Sequence, residues 1–262
     1  MIMDYGVPGL VVADGERQQL EALKRFFEDN HDAIFEEWHC DENFLKGLLG
    51  EDYTEPTEKH GYLSYGNLAK LWGLKSNEIH GEGYFQDVKF QQGELHWIED
   101  IRAEMHLPDW HNDVDDPCEG VKLNHEVLTW RDECYGRPCV DIYKLIQEKF
   151  PGIKLYVAND LYSNYDYCCS DVEGRFFPVC YIYFKYSIGF LDDENGGPWQ
   201  QMNDMKGFAS LDELAAYVKQ CHGDIIASDE DIDRMNDHLE ELLATREQHD
   251  GYCVHRMKYY EI

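Results

Sequence analysis

The densest gathering of metal-competent side chains is the stretch HLPDWHNDVDDPCEG, which holds His106, Asp109, His111, Asp113, Asp115, Asp116 and Cys118. Carboxylate oxygens and imidazole nitrogens suit a divalent cation, and His106, His111, Asp113 and Asp115 are the first candidates for its ligands. The order of residues departs from a calcium-binding EF-hand loop, which needs glycine at its sixth position and glutamate at its twelfth. His-Glu-x-x-His of the zinc peptidases is also absent. Proline and glycine punctuate the stretch, so the expectation is a polar surface loop without a metal.

Cysteine chemistry is no better supported by spacing. The nine cysteines are Cys40, Cys118, Cys134, Cys139, Cys168, Cys169, Cys180, Cys221 and Cys253. No C-x-x-C occurs, and Cys168 and Cys169, adjacent on a strand, point to opposite faces. An odd number of cysteines in a chain of this size argues against a disulfide framework, so free, buried thiols are expected. The motifs of nucleophilic catalysis and phosphate binding, G-x-S-x-G, G-x-x-x-x-G-K-[ST] and G-x-G-x-x-G, are missing. GEGYFQ carries two glycines, but they precede a strand. No catalytic residue and no cofactor are expected.

Charge is the strongest signal. The chain has 262 residues, with 53 acids, 23 bases and a formal net charge of −30. With 43% apolar and 14% aromatic residues it has enough to build a core, unlike a disordered acidic tail. Phosphate neutralisation by lysine and arginine supplies most nucleic-acid affinity, so direct binding to DNA or RNA is expected to be absent, as is binding to anionic membranes. The attraction is toward basic proteins, polyamines and divalent cations. No apolar run is long enough to span a bilayer, and MIMDYGVPGLVVADGE lacks a basic leader, so a cytosolic protein is expected. Net charge is −10 over residues 1–60, −8 over 61–120, −1 over 121–190 and −11 over 191–262. The neutral block holds the aromatic strands, as a central sheet would.

The hydropathy pattern predicts an α+β protein, a mostly antiparallel sheet backed by helices. The opening stretch reads as a strand, then a helix with Leu20, Leu23, Phe26 and Phe27 on one face. EEWHCDENFLKGLLG and YGNLAKLWGL are further helices. Alternation on either side of Gln92-Gly93 predicts a hairpin turn there. VKLNHEVLTWRDE is a strand, CVDIYKLIQEKF a helix stopped by Pro151-Gly152, and IKLYVAND a strand. SNYDYCCSD and RFFPVCYIYFKYSIGF are strands around the turn VEG. SLDELAAYVKQCHG is a helix capped by Ser210 and Glu213 and stopped by Gly223. After a long acidic helix, GYCVHRMKYYEI closes as a strand. Residues 1–110 are expected to form one α+β subdomain and 120–262 a ferredoxin-like one carrying the acidic helix.

That helix lies in IASDEDIDRMNDHLEELLATREQHDGY, with nine acids against two arginines. Ile232, Met235, Leu239, Leu242 and Leu243 form its apolar face. Asp229, Glu230, Asp233, Asp237, Glu240, Glu241 and Glu247 fall on the other flank. Nine acids over about 33 Å of helix give one charge per roughly 3.7 Å, against one phosphate per about 3.4 Å along a strand of B-DNA. The pattern suits either a solvated helix face or a surface that imitates a nucleic acid. Glu36, Glu37, Asp41 and Glu42 form a second acidic block.

Phe150-Pro151-Gly152-Ile153 before a strand, followed by Asp171-x-Glu173-Gly174-x-Phe176-Phe177-Pro178, resembles a pattern in small proteins of phages, plasmids and conjugative elements. The resemblance covers about 40 residues, Leu145–Phe184, of 262. It implies a ferredoxin-like domain and a mobile-element origin. Charge and resemblance together lead to the expectation of a non-enzymatic inhibitor of anti-CRISPR or antirestriction type. It would occupy the basic nucleic-acid-binding surface of a host defence nuclease. The alternatives are an immunity-type binder of a basic toxin or an accessory protein, and then a metal-dependent enzyme with an acidic site.

Overall fold

The computed structural model describes residues 7–30, 65–74, 83–96, 120–134, 138–161, 166–190, 198–245 and 248–262. The chain is α+β with mostly antiparallel sheets. It divides into two compact units that interleave along the sequence, the boundaries falling after Phe90, Glu126 and Leu155. Among the described residues, no helix is long and apolar enough to cross a membrane.

In the first unit β1 (Val7–Asp14) pairs antiparallel with β3 (Lys122–Cys134), so that Val11 faces Trp130 and Gly9 faces Asp132. The strand order is β2-β3-β1, with β2 spanning Gly83–Glu94. Four consecutive residues of β1, Leu10 to Ala13, are buried, the mark of a strand covered on both faces. Helix α1 (Arg17–Asp29) buries Leu20, Leu23 and Phe27, as its 3.6-residue period requires. Phe26, on the edge of that face, stacks on Trp72 just beyond α2 (Tyr65–Leu71), with ring centroids 5.4 Å apart. Phe27 meets Trp130 edge-to-face, as Tyr65 meets both Phe85 and Tyr143 of α3 (Val140–Lys149), and tilted contacts of Phe85 with Phe27 and Trp130 join the cluster. The carboxylate of Asp132, fully buried, accepts the Tyr143 hydroxyl. A charge can stay in such a core only when it is hydrogen-bonded.

In the second unit β4 (Lys154–Leu161) pairs antiparallel with β5 (Asp166–Cys169), and β5 runs parallel to β9 (Lys258–Tyr259). A separate sheet has the order β7-β6-β8, from β6 (Tyr181–Phe190), β7 (Pro198–Phe208) and β8 (His249–Arg256). Helices α4 (Leu211–His222) and α5 (Asp229–Thr245) cover one face, where Tyr183, Val254, Leu214, Val218 and Ile232 meet. The residues of β6 that alternate with these, Ile182, Phe184, Tyr186 and Ile188, are buried on the opposite face. The strands expected to share one ferredoxin-like sheet are therefore divided between two, and β5 and β6 do not form a hairpin around VEG.

Gln92-Gly93 is not a turn. β2 runs through both residues, and Gly93 takes φ 89° inside the strand. Just beyond, the Gln91 side chain donates to the His96 carbonyl and accepts the His96 N–H, doing the work of a ladder pair. EEWHCDENFLKGLLG lies outside the described residues.

Six described cysteines are free: Cys139, Cys169 and Cys253 are buried, Cys168 and Cys180 half-buried. Cys221, in the last turn of α4, is exposed and is the exception to the expected burial. Burial, above all, pushes the Cys169 thiol up to about 12. At pH 8 its reactive thiolate is then about one part in ten thousand. With a chromogenic disulfide reagent on native protein, Cys221 should react promptly, and Cys169 and Cys253 only on unfolding; comparison with Cys221→Ser checks the assignment.

Candidate functional site

Helix α5 is held by its own first turn. The Asp231 carboxylate accepts the backbone N–H groups of Ala227 (2.8 Å) and Ser228 (3.0 Å), an acid reaching back to the start of its helix. Arg234 pairs with the same side chain. The Ala227 N–H first, then Arg234 and the Ser228 N–H, hold Asp231 below the usual carboxylate range. A depressed folded-state value means stability present above the unfolded value and lost as pH falls through the folded one. Asp231→Ala should therefore lower the melting temperature at neutral pH and flatten its fall in acid, measured as melting curves between pH 7 and pH 2.

The acidic flank is not uniform. Asp229 and Asp233 face β8, where Arg256 pairs with both, at 3.3 Å and 2.6 Å. The Tyr181 hydroxyl also donates to Asp229 (3.1 Å), and Asn236 ties α5 to the Val254 carbonyl (2.9 Å). These two carboxylates serve the packing of α5 on the sheet. Glu230, Asp237 and Glu241 lie about 80° farther round the helix and are exposed. The Ser228 side chain is the main influence holding Glu230 low, and Glu241 is 3.6 Å from the His238 ring. The expected strip of like charges is thus split into an inner pair that shares one guanidinium and an outward row. The helix also ends at Thr245, so Asp250 belongs to β8.

Glu247, the N-terminal acids Glu36, Glu37, Asp41 and Glu42, and the candidate ligands His106, His111, Asp113 and Asp115 lie outside the described residues. So do the side chains of Leu239, Glu240, Leu242 and Leu243. Among the described residues no three His, Cys, Asp or Glu side chains converge to hold a metal ion.

Sequence reasoning missed a second group, at the C-terminal end of α4. His222 stacks on Tyr252 of β8, with centroids 4.1 Å apart and planes 18° from parallel. The Tyr252 hydroxyl donates to Asp224 (2.7 Å), and His222 Nε2 is 2.8 Å from the Tyr183 hydroxyl. Burial, and then the Asp224 carboxylate, push the Tyr252 hydroxyl up, so it remains a donor. Gly223 ends α4 in the left-handed region at φ 80°, which swings Asp224 back toward the sheet. His222 and Asp224 were visible as neighbours of the helix stop. Tyr252, thirty residues downstream of His222, was not visible as their partner.

No family model matches the chain, and no curated protein or solved structure is similar to it.

Proposed function

We propose that the chain is a non-enzymatic binding protein whose acidic surface occupies the basic nucleic-acid-binding surface of a partner. On this reading it inhibits a host defence nuclease on behalf of a phage or other mobile element. The observation that supports it is the outward row Glu230, Asp237 and Glu241, exposed on a helix already fixed to its sheet by Asp229, Asp233 and Arg256. Side chains held on a rigid element present charge at lower entropic cost than a flexible acidic tail. Complementary potentials then speed encounter and reject acidic competitors.

The experiment is capture of partners from host lysate on immobilised protein, followed by competition. A captured nuclease or DNA-binding protein should lose its nucleic acid as this protein is added, and the complex should weaken with salt. Capture of a basic toxin whose active site is blocked, without competition for nucleic acid, would favour the immunity reading instead. The protein itself should bind neither DNA nor RNA at physiological salt; micromolar retention on filters would count against the proposal.

A further inference from the structure

We propose that the His222–Tyr252 ring stack and the Asp224 carboxylate form a receptor for an arginine side chain of the basic partner. This rests on the proposed function and says where on the second unit an arginine would anchor.

The chain contains its own precedent. On one face of the β7-β6-β8 sheet the Tyr181 hydroxyl donates to Asp229, and the Arg256 guanidinium pairs with the other oxygen of that carboxylate. Tyr252 lies on the same face, two residues before Val254, which is opposite Tyr183 in register. Its hydroxyl donates to one oxygen of Asp224 in the same way. Among the described residues, however, no lysine or arginine forms an ion pair with Asp224. A tyrosine-bonded carboxylate that meets a guanidinium at Asp229 meets none among the described residues at Asp224.

The surroundings select the kind of cation. Asp224 is exposed, and so is His222, whose ring the Tyr183 hydroxyl holds against Tyr252. A planar guanidinium can lie along such rings while its N–H groups reach the carboxylate; a compact ammonium gains only the charge. The last carbonyls of α4 add partial negative charge at the same place. Ile225, next in the chain and 78% exposed, offers apolar surface for the methylenes of an incoming side chain. Rigid aromatic groups beside a desolvatable charge are what interface hot spots are made of.

The test uses the full chain and a defined probe. N-acetyl-arginine amide is titrated into labelled protein and the His222 and Tyr252 ring signals are followed by NMR, with N-acetyl-lysine amide as the comparison. Saturable shifts at millimolar arginine probe are expected, and Asp224→Asn should weaken them about tenfold. Tyr252→Phe, which leaves the ring stack and releases Asp224, should weaken them less. Equal shifts with both probes, or an unchanged response in Asp224→Asn, would overturn the assignment. Unfolding curves of each variant show whether the fold is intact; if Asp224→Asn is unfolded, the preference for arginine over lysine in the wild type decides alone. Should a basic partner be captured and bind Asp224→Asn as tightly as wild type, this inference falls while the proposed function stands. Should no basic partner exist, the proposed function falls and the probe titration still decides the receptor.

Discussion

Asp171→Ala is expected to destabilise the protein by roughly 2–4 kcal/mol, the largest stability effect of any polar substitution in the second unit. The Asp171 side chain is buried, and one oxygen accepts the N–H groups of Phe176 (2.6 Å) and Phe177 (3.0 Å). Both phenylalanines are buried as well, so alanine would leave two donors without a partner in a dry environment. Asp171→Asn separates charge from hydrogen bonding. Its amide oxygen can keep both N–H groups, but its NH2 puts donors in the place of the second carboxylate oxygen, which has no hydrogen-bond partner among the described residues. Asparagine should therefore cost less than alanine but remain destabilising. Chemical denaturation of both variants checks this. A loss under about 0.5 kcal/mol for alanine would mean that the loop is not held by Asp171, and an equal loss for both would mean that the two hydrogen bonds kept by asparagine are not what holds it.

The same loop shows what a sequence pattern can and cannot convey. Asp171-x-Glu173-Gly174-x-Phe176-Phe177-Pro178 stood out as a motif, and the structure gives four of its residues a local task. Asp171 accepts two backbone donors, Gly174 supplies φ 64°, and the phenylalanines enter the core. A motif explained by turn chemistry carries no separate demand for an activity. Helix α4 was legible to the residue because its limits are set locally: Ser210 accepts the Glu213 N–H, Glu213 accepts the Ala209 N–H, and Gly223 is left-handed. What decides pairing is not local. SNYDYCCSD and RFFPVCYIYFKYSIGF read as two arms of one hairpin, but β5 finds β4 and β9, and β6 finds β7 and β8. β7 was invisible because Gln200, Gln201, Asn203 and Asp204 interrupt any apolar alternation in it. Its place is fixed by antiparallel pairing with β6 from Pro198 to Phe208. The split of the acidic helix into two rows depends on Arg256, more than twenty residues after Asp233, and helical periodicity alone gives no sign of it.

That split sharpens the second large prediction. A variant carrying Glu230→Gln, Asp237→Asn and Glu241→Gln should associate with its basic partner about tenfold more slowly at low ionic strength, with dissociation changed much less. Removing three exposed like charges from one helix should change stability little, because relief of their repulsion is set against the loss of the Ser228 contact that holds Glu230 low, and no hydrogen bond that fixes α5 to the sheet is lost. Asp233→Asn alone should behave in the opposite sense. It breaks the pair with Arg256 and loosens the helix on its sheet, yet takes less from the outward field than the triple variant, because Arg256, shared with Asp229, already offsets part of that charge from 2.6 Å. Raising salt should narrow the gap between wild type and the triple variant, since screening removes a long-range field before it removes a contact. Surface plasmon resonance of wild type, triple variant and Asp233→Asn at low and high salt separates these terms. If the triple variant keeps the wild-type association rate at low salt, the outward row is a solvated helix face, and the acids Glu36, Glu37, Asp41 and Glu42 become the next residues to neutralise. If Asp233→Asn slows association as much as the triple variant does, the partner reads the inner row, and Arg256 must let go of its carboxylates for the complex to form.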